Sequence, residues 1–260
     1  FKKMINNKNM KPILDFTNEN YKDHKKNFDE IMELCREYNN EKIAVKLTSL
    51  NIYDQTCVEN YLDQIVSQCI KNNNTLLIDA EYYSVQDNIN KITNVFMEQY
   101  NINDLYIYKT YQLYRKDYLD ILKNDLNKYR NYRIGVKLVR GAYYNEDKKH
   151  NILFDNIQDS HNNYNKGIEY FINYHKKNDK LLCATHNKTS TEIASSYIDN
   201  YNLTNIEFAQ LLGMSDSMSK KLAEKYNVYK YLPYGDFKDT LPYLIRRLYE
   251  NYPMLMNIFK

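Results

Sequence analysis

Short apolar runs alternate along the chain with longer segments in which apolar residues recur every three or four positions. The runs predict β-strands at Ile13–Phe16, Ile43–Leu47, Leu76–Ala80, Leu105–Lys109, Ile134–Val139, Leu181–Thr185, Ile206–Phe208 and Val228–Leu232. The segments between them have a helical period, as in Phe28, Ile31, Met32, Leu34 and Cys35. Alternation of strand and helix predicts a parallel sheet covered by helices, and eight such units predict a closed (β/α)8 barrel of the α/β class.

Length and charge agree with one such barrel. The chain has 260 residues, and its 43% hydrophobic residues are enough for a substantial core, so we predict one domain over residues 1–260. The net charge of +3 is small and the Lys and Arg residues are scattered, which argues against a nucleic-acid-binding protein. The four cysteines form no CxxC pair, so neither a zinc site nor a disulfide framework is expected. No apolar run approaches the ~18 residues that span a bilayer.

Polar side chains lie at or just after the ends of six predicted strands. They are Glu19, Lys46, Asp79, Lys109, Lys137 with Arg140, and Thr185 with His186. A charge in a buried strand costs several kcal/mol unless it is paired or meets a ligand. Barrel enzymes carry their chemistry at the C-terminal ends of the strands, the barrel mouth. One such charge has a simpler explanation, a strand end that reaches solvent, but six together predict a charged ligand pocket at the mouth.

The segment KLVRGAYY, residues 137–144, continues the fifth strand into a loop. Its small residues Gly141 and Ala142 would let a ligand approach the backbone closely. Its cations Lys137 and Arg140 would suit a phosphate or the edge of a flavin ring. Glycine is common in such loops, so the segment by itself is only suggestive.

The segment ATHN, residues 184–187, places Thr185, His186 and Asn187 directly after the sixth strand. Thr and Asn are good helix N-caps, so a purely structural cap is one interpretation. The helix that begins here would also offer its N-terminus to a phosphate, which is the functional interpretation.

The segment TLPYLIRRLYEN, residues 240–251, predicts an amphipathic helix. One face carries Leu241, Leu244, Ile245 and Leu248, and the other carries Tyr243, Arg246, Arg247 and Glu250. The polar face is either solvated or closes over the barrel mouth, where two Arg side chains would bind a carboxylate bidentately.

Together these segments resemble the proline dehydrogenase family, and specifically its monofunctional, mitochondrial branch. The resemblance rests on LDFTNE (14–19), VKLTSL (45–50), LLIDAE (76–81), TYQLY (110–114), KLVRGAYY (137–144), ATHN (184–187), EFAQLLGMSD (207–216) and YLPYGDFKDTLPYLIRRLYEN (231–251). These segments follow the family order over nearly the whole chain. The helix that precedes the first strand in the family is mostly absent, so we expect the N-terminal part of the full protein to be missing.

The resemblance implies a role for each residue of the site. Substrate-binding residues would be Arg246, Arg247, Lys46, Glu19, Glu250, Asp79, Tyr231, Tyr243, Ala142, Tyr143 and Leu212. Contacts with FAD would come from Lys137, Val139, Arg140, Gly141, Lys109, Thr185, His186, Asn187 and Gln210. Bacterial members carry Arg at the position of Lys137, and Gln facing the flavin at the position of Lys109. Family members that oxidise hydroxyproline carry a smaller residue at the position of Tyr231.

The resemblance also implies the reaction and its partners. L-proline would be oxidised to Δ1-pyrroline-5-carboxylate, with the hydride passing from C5 to the flavin N5 and the electrons then passing to a quinone. That last step implies peripheral contact with the matrix side of the inner mitochondrial membrane. Three alternatives remain: oxidation of 4-hydroxyproline on the same scaffold, a barrel aldolase with Lys46 or Lys137 as Schiff-base nucleophile, and an inactive barrel that only binds a partner.

Overall fold

A computed structural model describes residues 9–16 and 23–234. Eight strands run in chain order: β1 Met10–Phe16, β2 Lys42–Val45, β3 Thr75–Ile78, β4 Ile107–Gln112, β5 Gly135–Val139, β6 Lys180–Ala184, β7 Ile206–Leu211 and β8 Val228–Tyr234. The α-helices of these residues are α1 His24–Glu37, α2 Gln55–Lys71, α3 Tyr83–Tyr100, α4 Tyr118–Asn127, α5 Tyr144–Asp147, α6 Ile157–Tyr174, α7 Lys188–Tyr201 and α8 Asp216–Ala223. Short 3-10 turns lie at Leu47–Leu50 and Lys148–His150.

The strands form a closed parallel barrel in which each strand pairs with its neighbours in chain order. Closure comes from β1 and β8, which pair over their full length from Met10 opposite Val228 to Phe16 opposite Tyr234. The predicted (β/α)8 barrel is therefore confirmed. All eight predicted strands are present with ends shifted by at most three residues, and in β4 both ends move, so that the strand extends to Gln112.

Local sequence explains where the outer helices begin and which face they bury. The Asp23 side chain accepts a hydrogen bond from Lys26 N and caps α1, and Asp54 caps α2 in the same way through Cys57 N. The apolar stripe of α1, predicted from its periodicity, is buried against the barrel. Cys35 of this stripe and Cys69 of α2 are free buried thiols with their Sγ atoms 3.5 Å apart.

Side chains alternate between the barrel interior and the helix layer because successive strand residues point to opposite faces. The interior cluster contains Ile13, Ala44, Leu77, Tyr108, Leu182, Ala209, Tyr229 and Tyr231. At the N-terminal end of the interior, Lys42 pairs with Glu207 at 3.0 Å and its ammonium lies over the rings of Tyr108 and Tyr229. This buried pair fills the barrel at the end opposite the mouth.

No helix among the described residues is long and apolar enough to cross a membrane.

Candidate active site

Four predicted site residues meet inside the barrel at its mouth, and with Asp15 they form what we call the lumen cluster. Lys137 on β5 donates to Asp79 Oδ1 at 2.5 Å and to the hydroxyl of Tyr231 on β8. Lys46 donates to Asp15 Oδ1 at 2.8 Å and lies 3.9 Å from Asp79 Oδ2. The lumen cluster therefore joins five strands or strand ends into one polar network.

The charges of the lumen cluster balance, since it holds two lysines and two aspartates. Both lysines and Asp15 are buried, and Asp79 is nearly so. Removing one partner of such a buried pair would leave an uncompensated charge, which is strongly destabilising.

Asp15 was not predicted from the sequence, although the alternation of side chains along β1 indicates that it faces the barrel interior. Asp15 stands two residues after Ile13 on the same face of β1, and Ile13 is an interior residue. Period-2 alternation therefore points the Asp15 side chain into the lumen. The register of β1 on β2, with Asp15 opposite Ala44, places it within reach of Lys46 two residues further along.

Gln112 is the second residue that sequence reasoning missed. It shares the inward face of β4 with Tyr108, and its amide nitrogen donates to the carbonyl oxygen of Glu81 at 3.0 Å. Its Oε1 atom is buried and has no hydrogen-bond partner among the described residues. An orphaned buried acceptor normally costs about 1–3 kcal/mol, so its position at the mouth is consistent with a ligand that donates an N–H or O–H there.

A second group, which we call the rim cluster, lies outside the lumen where β5 and β6 end. The Arg140 guanidinium donates to His161 Nδ1 at 2.8 Å, to Thr185 Oγ1 at 2.6 Å and to Ser190 Oγ at 3.0 Å. It also stacks on the ring of Tyr164. Among the described residues no carboxylate pairs with Arg140, and burial lowers the pKa of its guanidinium. A half-buried cation surrounded by neutral groups is suited to an anion.

The ATHN segment serves as a helix cap and also faces the rim cluster. Asn187 caps α7 by accepting from Ser190 N at 3.0 Å, which confirms the structural interpretation for that residue. His186 accepts from Leu211 N through Nε2 at 3.4 Å and contacts Ser215 Oγ through Nδ1. Burial, with Lys230 and Arg140 nearby, lowers the pKa of His186 to about 4. The imidazole is therefore neutral at physiological pH.

The loop after β5 carries the predicted substrate contacts Ala142 and Tyr143. Tyr143 stacks edge-on against Tyr82 at 5.9 Å between centroids, and Val139 ends β5 on the inward face. A Cβ added to Gly141 would lie 2.1 Å from the Tyr114 ring, so glycine is required there by protein packing. Packing against Tyr114 is therefore one reason for glycine at this position, and close approach of a ligand to Gly141 stays a prediction. Opposite this loop, Leu212 N donates to Tyr231 O at 3.1 Å.

The structure contradicts the prediction that Lys109 faces the cofactor. Lys109 lies on the outward face of β4, where its ammonium donates to Asn94 on α3 at 2.9 Å and to Asp125 on α4 at 2.7 Å. The error arose because β4 was predicted to end at Lys109, whereas it continues for three residues to Gln112. Lys109 is a structural cation between the barrel and its helices.

Gln210 also faces outward. Its amide nitrogen donates to Thr185 O at 3.4 Å, and its oxygen accepts from Ser219 on α8. Both ends of the buried side chain are thus satisfied by protein atoms, which leaves the predicted cofactor contact without support.

Five other predicted residues lie outside the described residues: Glu19, Tyr243, Arg246, Arg247 and Glu250. The described ranges contain no group of three or more His, Cys, Asp or Glu side chains able to hold a metal.

Solved structures share this architecture. The chain superimposes on proline utilization A (PutA) from Bdellovibrio bacteriovorus, inactivated by N-propargylglycine, with a TM-score of 0.84 at 20% identity. The match covers 94% of this chain and 30% of that one. At this level of identity the likeness concerns the fold alone.

Sequence comparison identifies the family. The chain is 32% identical over 224 residues to mitochondrial proline dehydrogenase 1 of Dictyostelium discoideum, covering 79% of this chain and 39% of that protein. It is 35% identical over 217 residues to hydroxyproline dehydrogenase of Xenopus laevis, covering 76% and 46% respectively. The chain thus spans less than half the length of these relatives. The family model described as proline dehydrogenase matches residues 3–256, and the chain belongs to the proline dehydrogenase family.

Proposed function

We propose that the chain is the catalytic barrel of a flavin-dependent proline dehydrogenase, which oxidises L-proline to Δ1-pyrroline-5-carboxylate and passes the electrons to a quinone. The observation that carries the proposal is that a polar lumen cluster and a rim cluster suited to an anion lie together at the barrel mouth. Membership of the family supports the same assignment. As in the family, we place the whole of residues 1–260 in this one domain.

The residues at the mouth fit FAD. The Arg140 cation and the N-terminus of the 14-residue helix α7 would hold its phosphates, with Thr185, His186 and Asn187 beside them. The orphaned Oε1 of Gln112 would accept a hydrogen bond from the ring, beside Lys137, Val139 and Gly141. When bound, FAD supplies the acceptor for the hydride that leaves C5 of proline.

The protein's own groups would orient the substrate. Proline is a small zwitterion, so its ring needs an apolar wall and its carboxylate needs fixed cations. Tyr231, Ala142, Tyr143, Leu212 and Tyr243 would supply the wall. Because Lys46 and Lys137 are already matched by Asp15 and Asp79, the carboxylate would depend on the additional cations Arg246 and Arg247. Glu19 and Glu250 would hold those cations in place.

The same ion pairs argue against the aldolase alternative. A Schiff-base lysine must present a neutral amine. Lys46 and Lys137 each hold a carboxylate in an ion pair, so neither amine is positioned to attack a carbonyl group. Oxidation of 4-hydroxyproline remains the second candidate, because one of the relatives that match this chain is named hydroxyproline dehydrogenase.

Several relatives are named mitochondrial proline dehydrogenases, which supports a mitochondrial location. The contact with the matrix side of the inner membrane would bring the reduced enzyme to its quinone.

An absorbance spectrum of the purified protein tests the proposal directly. Protein loaded with FAD should show a flavin band that bleaches when L-proline is added and recovers with a quinone. Folded protein that takes up no FAD contradicts the cofactor assignment. Flavin that does not bleach with either proline or hydroxyproline supports the inactive-barrel alternative, and a preference for hydroxyproline selects the second candidate.

A further inference from the structure

Asp147, a buried carboxylate near the mouth, belongs to neither the lumen cluster nor the rim cluster. It ends α5, the short helix that follows the loop of Ala142 and Tyr143, and it is fully buried. No Lys or Arg of the described residues forms an ion pair with it. Its two oxygens instead accept from Tyr83 N at 2.9 Å and from the Tyr114 hydroxyl at 2.5 Å.

The first of these bonds caps another helix. Tyr83 is the first residue of the 18-residue helix α3, and its own N-cap residue, Tyr82, makes no side-chain cap. Asp147 supplies that cap from a distant part of the chain, where a carboxylate also interacts favourably with the helix dipole. Because the Tyr82 and Tyr143 rings also pack edge to face, the loops after β3 and β5 are joined at two points.

The second bond brings in the loop after β4. Tyr114 is a buried residue whose backbone N donates to Arg140 O at 2.9 Å and whose ring fills the space beside Gly141. Burial and the bond to Asp147 raise the pKa of Tyr114, so the hydroxyl stays protonated and donates. Tyr114 therefore touches the loop after β5 at its start, through Arg140 and Gly141, and at its end, through Asp147.

From this geometry we propose that Tyr114 and Asp147 are positioning residues, which hold Ala142 and Tyr143 against the bound substrate. The inference rests on the proposed function, since it assigns that loop to the proline site. Neither residue touches the reacting atoms. Loss of their contact should loosen the loop and weaken substrate binding while the chemical step is retained.

The chain offers a matched control within β4, three residues before Tyr114. Tyr111 is also buried, and its hydroxyl donates to Asp125 Oδ2 at 2.8 Å on the following helix, but it faces away from the mouth. Tyr111→Phe and Tyr114→Phe each remove one tyrosine hydroxyl bonded to an aspartate. A purely structural role predicts the same kinetic consequence for both.

Steady-state kinetics of the FAD-loaded enzymes separate these possibilities. Tyr114→Phe should raise KM for proline about tenfold with kcat and FAD content within about twofold of wild type. Tyr111→Phe should leave KM within about twofold. Asp147→Ala should behave like Tyr114→Phe, and Asp147→Asn should restore most of the loss, because an amide can accept from Tyr83 N and donate to Tyr114.

Amide hydrogen exchange gives a readout that does not depend on turnover. Tyr114→Phe should speed exchange in residues 140–147 and leave α4 unchanged, and Tyr111→Phe should spare residues 140–147. The inference is overturned if Tyr114→Phe and Tyr111→Phe have equal KM values for proline and Tyr114→Phe leaves exchange in residues 140–147 unchanged. This holds even if the wild type oxidises proline. If the wild type does not oxidise proline, the proposed function fails, and exchange alone then decides whether the loop is held as described.

Discussion

Lys137 and Tyr231 lie on β5 and β8, on different sides of the barrel, and meet in its interior, where the ammonium donates to the phenol hydroxyl. The same ammonium is paired with Asp79 and lies over the Tyr231 ring, 4.6 Å from its centroid. The tyrosine at the centre of the proposed substrate site is thus held by a cation that is itself fixed by an ion pair.

This arrangement predicts that Tyr231 selects the substrate. A rigid ring at C4 of proline would leave the extra hydroxyl of hydroxyproline clashing or without a partner, which costs about 1–3 kcal/mol, roughly a tenfold to hundredfold preference for proline. We expect Tyr231→Ser to reduce the preference for proline over hydroxyproline, mainly by losing activity on proline. The measurement is kcat/KM of the wild type and of Tyr231→Ser for proline and for hydroxyproline. Equal values for the two substrates in the wild type would rule out Tyr231 as the residue that selects the substrate.

Arg246 and Arg247 should bind the substrate carboxylate. Because the lysines of the lumen cluster are already paired, loss of either Arg should leave the carboxylate under-compensated, at a cost of about 2–5 kcal/mol. We expect Arg246→Met or Arg247→Met to raise KM for proline by orders of magnitude with nearly normal FAD content. An unchanged KM in both variants would indicate that this segment is an ordinary solvated helix.

Arg140 should bind the cofactor rather than the substrate. Its charge has no carboxylate partner among the described residues, so its replacement should cost the charge-assisted bond to phosphate, about 1.5–3 kcal/mol. We expect Arg140→Met to weaken FAD binding at least tenfold, measured by titrating apoprotein with FAD or ADP.

Arg133 provides the control for that experiment. Arg133 lies just before β5 and Arg140 just after it. The Arg133 guanidinium donates to Asp104 at 2.8 Å. Arg133→Met should bind FAD as the wild type does. Equal affinities of the two variants would count against a phosphate site at Arg140.

His186 should make stability depend on pH. Its pKa, about 4 in the folded protein, lies below the unfolded value near 6.5, so the unfolded state binds protons first. Stability is therefore present above pH 6.5 and is lost as the pH falls toward 4. From these values the loss between pH 7 and pH 5 is about 2 kcal/mol.

Urea denaturation of the apoprotein at both pH values measures this loss. The His186→Asn variant should lose about 2 kcal/mol less than the wild type between pH 7 and pH 5, since every other group titrates alike in both. Identical losses would mean that His186 is solvated rather than buried near Lys230 and Arg140.

The sequence by itself determined the barrel and the end of it that carries chemistry. Apolar runs of strand length separated by helical periods are a local property, and eight of them leave few arrangements other than a closed parallel sheet. Polar residues at the ends of those runs, such as Lys46, Asp79 and Lys137, must share one face because parallel strands end on the same side of the barrel.

Only the tertiary structure decided which of these polar residues face the lumen. A shift of one residue in a strand reverses the face of every side chain, so ending β4 at Lys109 concealed the inward face of Gln112 and the outward pairing of Lys109 with Asp125. The pairing of Lys46 with Asp15 depends on the register of β1 on β2. The role of Asp147 depends on two loops, after β3 and β4, that lie far from it in sequence. Such contacts arise when neighbouring strands pair in the sheet, because pairing brings strand ends that are distant in sequence within hydrogen-bonding distance.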